Sequence, residues 1–178
     1  MKKLILILIM FFGLIYFVNA ETCSIRSSCT SGETTLFSLY QQDDSHIKSF
    51  DPIGDYRLCC NNVTSKIIGK YNTCGSNDGV VVRAYDTGTT PLDAHVSFPE
   101  TSGYTKNVCL TLNTGIQGNI ECRSSTSCNA DELGVLSLYQ NTNSHVASFD
   151  YFSNKVCCKI TECPVGFAWD PAYQSCVV

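Results

Sequence analysis

The sequence predicts an all-β protein made of three degenerate, three-stranded units stapled by disulfides, sandwich-like or as tandem small modules, followed by a C-terminal cysteine loop. Three observations predict this class. A cysteine and a tyrosine recur three times at a fixed spacing, and all twelve cysteines lie after residue 20. Short runs of Val, Ile, Leu, Tyr and Phe alternate with Gly, Asn, Asp, Ser and Pro, which is typical of strands and turns.

The first twenty residues have the pattern of a secretory signal peptide. Lys2 and Lys3 precede an apolar run from Leu4 to Val18, and Val18 and Ala20 fit the small-residue rule for cleavage. The alternative, an uncleaved membrane anchor, is disfavoured because the apolar run is short. Cleavage after Ala20 leaves ten basic and sixteen acidic residues, a formal charge of −6. We therefore expect a secreted or cell-surface protein with no remaining transmembrane segment and no nucleic-acid partner.

The repeat divides the chain into three units. The two landmarks of each pair lie eleven positions apart, and the pairs are Cys29 and Tyr40, Cys74 and Tyr85, and Cys128 and Tyr139. A histidine follows each tyrosine, and the three are His46, His95 and His145. The resulting segments are units 21–61, 74–112 and 122–160, linkers 62–73 and 113–121, and the cysteine loop 161–178.

Each unit should contain three strands, which end at the tyrosine, start at the histidine and lead into the closing cysteine. Alternation places Phe37 and Leu39 on one apolar face, as in the other two units, and this face should form the core. The tyrosine and the histidine then share the opposite, mixed face. The linkers are either further strands that tie the units into one or two domains, or plain connectors.

An even number of cysteines in a chain that leaves the cytosol predicts six disulfides. No C-x-x-C pair occurs, which disfavours zinc ribbons, thioredoxin-type sites and covalent haem. The middle unit contains only Cys74 and Cys109, so they must pair if that unit is self-contained. Equivalence between units then proposes the remaining pairs: Cys23–Cys60, Cys29–Cys59, Cys122–Cys158, Cys128–Cys157 and Cys163–Cys176.

A serine, a histidine and an aspartate lie close together in "SLYQNTNSHVASFD", residues 137–150. Ser144, His145 and Asp150 are the residue types of a catalytic triad, but triads assemble from distant segments by geometry. The chain has no G-x-S-x-G elbow either. The first unit repeats the group as Ser45, His46 and Asp51, which favours a turn-and-strand module. We therefore expect no catalytic residue and no enzyme.

Three equivalent histidines invite a three-histidine metal site. They would converge only if the units closed around a threefold axis, and in a linear or sandwich arrangement they stay far apart. The sequence therefore predicts no metal and no cofactor, with each histidine packed against the tyrosine of its own unit. A repeated binding stripe is the alternative, with candidate residues Tyr40, His46, Tyr85, His95, Tyr139 and His145.

The tail "CPVGFAWDPAYQSC", residues 163–176, resembles the last disulfide loop of peritrophin-type chitin-binding modules. The matching residues are Cys163, Pro164, Gly166, Trp169, Asp170, Pro171 and Cys176. The likeness covers fourteen residues, and the family's other four cysteines have no counterpart upstream. It implies glycan binding by Trp169 and Tyr173, whereas the alternative places Trp169 as a cap on the last unit's core. The three units themselves resemble repeats of microbial, including archaeal, secreted or surface proteins, which implies no activity.

The sequence thus predicts a secreted, non-catalytic protein of extracellular recognition, adhesion or surface assembly. Its partner would be an extracellular protein or glycan, or further copies of the chain paired through strand edges into a filament or layer. A secreted glycan-binding protein is the alternative, and a metal-binding protein or hydrolase a more distant one. Asn62 begins the sequon "NVT" and is a candidate glycosylation site.

Overall fold

The computed structural model describes residues 23–49, 54–61, 67–71, 74–85, 94–113, 115–170, 172–173 and 175–178. The predicted signal peptide and the sequon at Asn62 lie outside these ranges. Within them the chain forms strands and no helix, so the predicted class, an all-β protein of small disulfide-stapled sheets, is confirmed. The described residues include no helix that is long and apolar enough to cross a membrane.

Three antiparallel sheets of four strands each make up most of the described chain. The first sheet contains β1 (Cys23–Arg26), β2 (Glu33–Leu39), β3 (Ile47–Ser49) and β4 (Tyr56–Asn61). The second contains β5 (Ile67–Tyr71), β6 (Gly79–Ala84), β7 (Val96–Ser97) and β8 (Lys106–Leu112). The third contains β9 (Gly118–Ser125), β10 (Glu132–Leu138), β11 (Val146–Ala147) and β12 (Asn154–Glu162). All three share the order first, fourth, second, third strand, so the units have one topology.

Each sheet has one strand more than the three predicted. β5 lies inside the predicted linker 62–73, and β9 begins inside the predicted linker 113–121. The run "IIGKY" of β5 is short and interrupted by glycine and lysine, so its local pattern does not predict a strand. Pairing with β8 along its whole length stabilises it, as pairing with β12 stabilises β9. Both linkers therefore contribute strands to the units that follow them.

A β-bulge interrupts the strand before each tyrosine at an equivalent position. The register shifts between Thr35 and Ser38, between Val80 and Val82, and between Gly134 and Leu136. A bulge breaks the two-residue alternation of a strand, and neighbours such as Leu36 and Phe37 are consequently both buried. On the opposite face Ser38 and Ser137 are also buried, whereas Arg83 is half-buried and the three tyrosines are exposed, so this face is mixed in burial.

The three sheets share one hydrophobic core. Its buried side chains come from all three units and form a single cluster, in which Phe37, Val82 and Leu136 are fully buried. The first strand of each unit packs on the second strand of another unit: β5 on β2, β9 on β6 and β1 on β10. These contacts run in a ring, so the units close on themselves around a pseudo-threefold axis.

Six disulfides staple the structure, and they are the six pairs that the repeat predicts. Cys59 and Cys60 are adjacent on β4 and point to opposite sides, so one bonds Cys29 and the other Cys23. The five bridges within the sheets join residues 29 to 37 positions apart. Each can add roughly 3–4 kcal/mol by constraining the unfolded chain.

An acidic residue closes a turn in each unit, four positions after the cysteine of the landmark pair. Glu33, Asp78 and Glu132 accept hydrogen bonds from the backbone N–H groups of Thr30, Gly75 and Asn129, respectively. The same residues are also joined by a backbone hydrogen bond across the turn. The recurring acid is thereby explained as a turn residue.

The tail forms a separate hairpin of β13 (Ala168–Asp170) and β14 (Ser175–Val177).

Candidate metal centre on the pseudo-threefold axis

The three histidines sit at the middle of short segments that bond to one another in a cycle. In each case the residue that precedes one histidine forms backbone hydrogen bonds with the residue that follows the histidine of another unit. The pairs are Ser45 with Val146, Ala94 with Ile47, and Ser144 with Val96, each joined by two backbone N–H···O bonds of 2.8–3.1 Å. This cycle brings residues about fifty and ninety-nine positions apart to one point.

The imidazole rings meet at the centre of that cycle. The ring centroids of His46 and His95 are 3.9 Å apart, those of His46 and His145 are 4.5 Å apart, and those of His95 and His145 are 5.3 Å apart. The Nε2 atoms of His46 and His145 are 2.8 Å apart. All three side chains are half-buried. The prediction that the histidines stay far apart is therefore wrong, because the units close around a threefold axis.

A carboxylate from another unit orients one of the rings. Asp44 Oδ1 lies 2.7 Å from Nδ1 of His145. A carboxylate can only accept, so His145 donates through Nδ1 and leaves the Nε2 lone pair directed at the other rings. Asp44 has φ 54°, in the left-handed region that Asp and Asn tolerate best, and Asn143 at the equivalent position has φ 50°. The turn before the histidine thus aims the carboxylate at its neighbour.

Sequence reasoning missed Asp44, although a signal for it exists. The repeat places Asp44, Asp93 and Asn143 two residues before the three histidines. A polar residue at this position in every unit is already explained by a turn. The sequence pattern therefore does not indicate that Asp44 also contacts the ring of a histidine in another unit. Asp93 lies outside the described residues.

The arrangement suits a divalent transition metal ion. One ring nitrogen of each histidine lies within 4.8 Å of those of the other two. A tetrahedral site with Zn–N bonds of about 2.0–2.1 Å places its donor nitrogens roughly 3.3 Å apart. The observed 2.8 Å between two Nε2 atoms is close to this value. Side-chain rotations that set all three nitrogen separations to about 3.3 Å would convert the cluster into a three-histidine site.

The serines beside the histidines have structural partners. Ser144 is fully buried, and its Oγ accepts from the N–H of Gln140 at 3.0 Å and donates to the carbonyl oxygen of His145 at 3.0 Å. Ser45 bonds in the same way to Gln41 and His46. The acid that contacts His145 is Asp44, whereas Asp150 in its own unit is exposed. These contacts are those of a turn rather than of a Ser-His-Asp triad.

The predicted tyrosines lie at the surface beside the histidine cluster. Tyr85 and Tyr139 bond through their backbone N–H groups to the carbonyls of His95 and His145. Exposed fractions are 39% for Tyr40, 57% for Tyr85 and 63% for Tyr139. Their rings contact Lys48, Tyr104 and Phe152, respectively. The histidine rings contact each other, in contrast to the predicted packing of each against its own tyrosine.

The two aromatic residues of the tail lie apart from this centre. Trp169 is on β13, is half-buried and stands opposite Cys176 of β14, while Tyr173 is 76% exposed. Trp169 is not a member of the shared core cluster. The structure therefore does not bring the tail and the histidines into one site.

An ion pair between a partly exposed arginine and a buried glutamate stabilises the third unit. Arg123 donates through Nε and Nη2 to the two carboxylate oxygens of Glu132, both at 2.7 Å. Glu132 is only 7% exposed. The hydrogen bonds from Arg123 hold the pKa of Glu132 below its usual value and raise that of Arg123. This pair fastens β9 to β10 and gives no sign of a reactive group.

No protein-family model, curated protein or solved structure matches this chain.

Proposed function

We propose that this protein binds a divalent transition metal ion through His46, His95 and His145. The observation that carries this proposal is the convergence of three imidazoles from three units on one axis. Imidazole nitrogen is a ligand for zinc, copper, nickel and iron, whereas calcium and magnesium prefer oxygen. Zn²⁺ fits best because it accepts three histidines in a tetrahedral geometry.

The carboxylate of Asp44 supports the same proposal. Metal-binding histidines commonly donate their second ring N–H to a carboxylate, which fixes the tautomer and raises the basicity of the bound nitrogen. The contact between Asp44 and His145 has this form. With His145 donating through Nδ1, its Nε2 accepts an N–H···N hydrogen bond from His46, and an ion bound between the rings would replace the proton of that bond.

The compartment also agrees with a metal-binding role outside the cytosol. Six disulfides indicate an oxidising environment, such as the extracellular space. Release of the protein from the cell is part of the proposal and depends on the signal peptide.

Titration with Zn²⁺ tests the proposal directly. The chain has three histidines in total, so a protein without a histidine tag reports on this site alone. We expect calorimetry to show one Zn²⁺ per chain with a Kd of about micromolar or tighter. His95→Ala should abolish this binding because it removes a third of the donor set.

Controls separate the loss of ligands from the loss of the fold. Tyr85→Phe removes only a hydroxyl from the residue paired with His95 and should bind Zn²⁺ as the parent does. Circular dichroism and non-reducing mass mapping of the six bridges should show His95→Ala to be folded. Equal Zn²⁺ affinity in parent and His95→Ala would disprove the proposal, as would no binding at about millimolar Zn²⁺.

A second candidate function is extracellular recognition or adhesion through exposed aromatic residues. Tyr139 contacts Phe152, which contacts Tyr151, and the two tyrosines are 63% and 58% exposed. Exposed rings with polar tips suit sugars and protein partners. Retention on chitin or on a glycan array, lost in a Tyr139→Ala/Tyr151→Ala double variant, would support this function. Loss of retention in Trp169→Ala would instead locate the glycan site in the tail.

A further inference from the structure

We infer that the three-histidine centre, once it holds Zn²⁺, hydrolyses small carboxylic esters through a water molecule at the fourth position of the ion. This inference rests on the proposed metal binding and adds an activity to it. Its basis is the number of donors, the side from which they approach and the exposure of the site.

The described part of the chain supplies three donors to the centre. The cluster of groups able to hold an ion there consists of His46, His95 and His145 and includes no cysteine or carboxylate. Asp44 contacts Nδ1 of His145 and so lies behind a ligand rather than at the ion. Structural zinc sites have four protein ligands, whereas catalytic sites have three and an open position that holds water.

The open position faces solvent. Ile47, Val96 and Val146 follow the three histidines in sequence and are fully buried. Strand alternation directs the histidines to the opposite side, and the His145 side chain is 35% exposed there. The three imidazoles therefore approach the ion from the protein side and leave its outer side open to small molecules.

The chemistry at such a position is that of an activated water. Zn²⁺ would lower the pKa of a bound water from far above the neutral range to about 7, so hydroxide would be available near neutral pH. Its oxygen attacks the ester carbonyl carbon and forms the new C–O bond. The C–O bond to the leaving group then breaks, and the alkoxide takes a proton from solvent. One ester and one water give one carboxylic acid and one alcohol, with no redox change.

The exposure of the site determines the substrate class. Bulk water must deliver the proton to the leaving group, so esters of acidic alcohols and phenols are the expected substrates. A centre open to solvent does not bury a large substrate, which favours small acyl groups. p-Nitrophenyl acetate is therefore the probe of choice.

The experiment compares the disulfide-bonded protein with and without one equivalent of Zn²⁺, and measures binding and p-nitrophenol release in the same samples. We expect zinc-loaded protein to act at least about tenfold faster than the same concentration of free Zn²⁺ or of apo protein. His95→Ala with Zn²⁺ should show only the rate of free Zn²⁺. Ser144→Ala should retain both binding and rate.

The possible outcomes separate the two proposals. Zinc binding with a rate equal to that of free Zn²⁺ overturns the hydrolytic inference and leaves metal binding intact. Absence of zinc binding overturns both. Loss of the rate in Ser144→Ala with zinc still bound also overturns the inference, because the nucleophile would then be the serine.

A second measurement tests the open position without relying on turnover. Azide added to the Co²⁺-substituted protein should change its visible absorption, because a small anion replaces the bound water. An unchanged spectrum at saturating azide means that the fourth position is closed, and this result overturns the inference.

Discussion

The Nδ1 atom of His145 lies 2.7 Å from Oδ1 of Asp44, although 101 positions separate the two residues. The acid belongs to the first unit and the histidine to the third. Ser45 and Val146 are joined by backbone hydrogen bonds. This pairing places Asp44, which precedes Ser45, beside the ring of His145, which precedes Val146. One unit therefore orients the candidate ligand of another, and no single unit can form this contact.

Replacing Asp44 by asparagine should weaken zinc binding. The amide can still accept from Nδ1, but it lacks the charge that raises the basicity of the bound imidazole. Substitutions of such supporting carboxylates typically reduce metal affinity about 10- to 100-fold. Competition with a chromophoric chelator would measure the change in Kd. Asp150→Asn is the matched control, because this exposed acid follows the same histidine in sequence and should leave the Kd unchanged. Equal affinities of Asp44→Asn and the parent would contradict the proposed role.

Zinc should stabilise the fold, because the three ligands belong to three units that must be closed to bind it. An ion at one hundred times its Kd adds about 2.7 kcal/mol to the free energy of unfolding. In a domain of this size, that gain raises Tm by roughly 5–10 °C. Scanning calorimetry with and without Zn²⁺ would measure the shift. His95→Ala should show no shift, and a similar shift in that variant would place the ion elsewhere.

Much of the fold was predictable from sequence because the repeat carries local information. The spacing from Cys74 to Tyr85 matches that in the outer units, and the solitary pair Cys74–Cys109 fixes the equivalent bridges. The first strand of each sheet was not predictable in the same way. The run of β5 has no clear alternation, and its strand conformation depends on pairing with β8.

The candidate site was predictable only in its residue types. Each histidine lies in a recognisable position of its unit, but the distance between His46 and His145 depends on how three sheets pack around one core. The contacts of β1 with β10 and of β5 with β2 determine that closure. They join residues far apart in sequence, and a pattern read within one unit contains no information on the angle between units.

Glu132→Gln should destabilise the protein in a pH-dependent way. Its pKa is lowered, first by hydrogen bonds from Arg123, from a usual value of 4.5. The carboxylate therefore contributes stability that is present above about pH 4.5 and is lost as the pH falls through the folded-state pKa. Hydrogen bonds to a charged group contribute about 1.5–3 kcal/mol, so the variant should lose about that much near neutral pH. Urea unfolding at about pH 7 and about pH 3 should show the difference between parent and variant shrinking with acidification.

Asp131→Asn is the matched control for that measurement. Asp131 is the preceding residue and pairs with Lys159 at 2.9 Å, but both side chains are more than half exposed. Solvent screens such a pair, so its loss should leave the unfolding midpoint unchanged within error. Equal destabilisation by the two substitutions would show that burial of Glu132 is not the cause.

Ser144→Ala should lower stability while zinc binding is kept, which distinguishes a turn residue from a nucleophile. The hydroxyl satisfies the N–H of Gln140 and the carbonyl of His145, and it is fully buried. Leaving a buried polar group without its partner costs about 1–3 kcal/mol. The equivalent position in the middle unit is Ala94, so the backbone conformation is compatible with alanine. Chemical unfolding and zinc titration of Ser144→Ala and Ser45→Ala should give similar losses of stability and the parental Kd. A parental stability for either variant would contradict the structural role assigned to the serine.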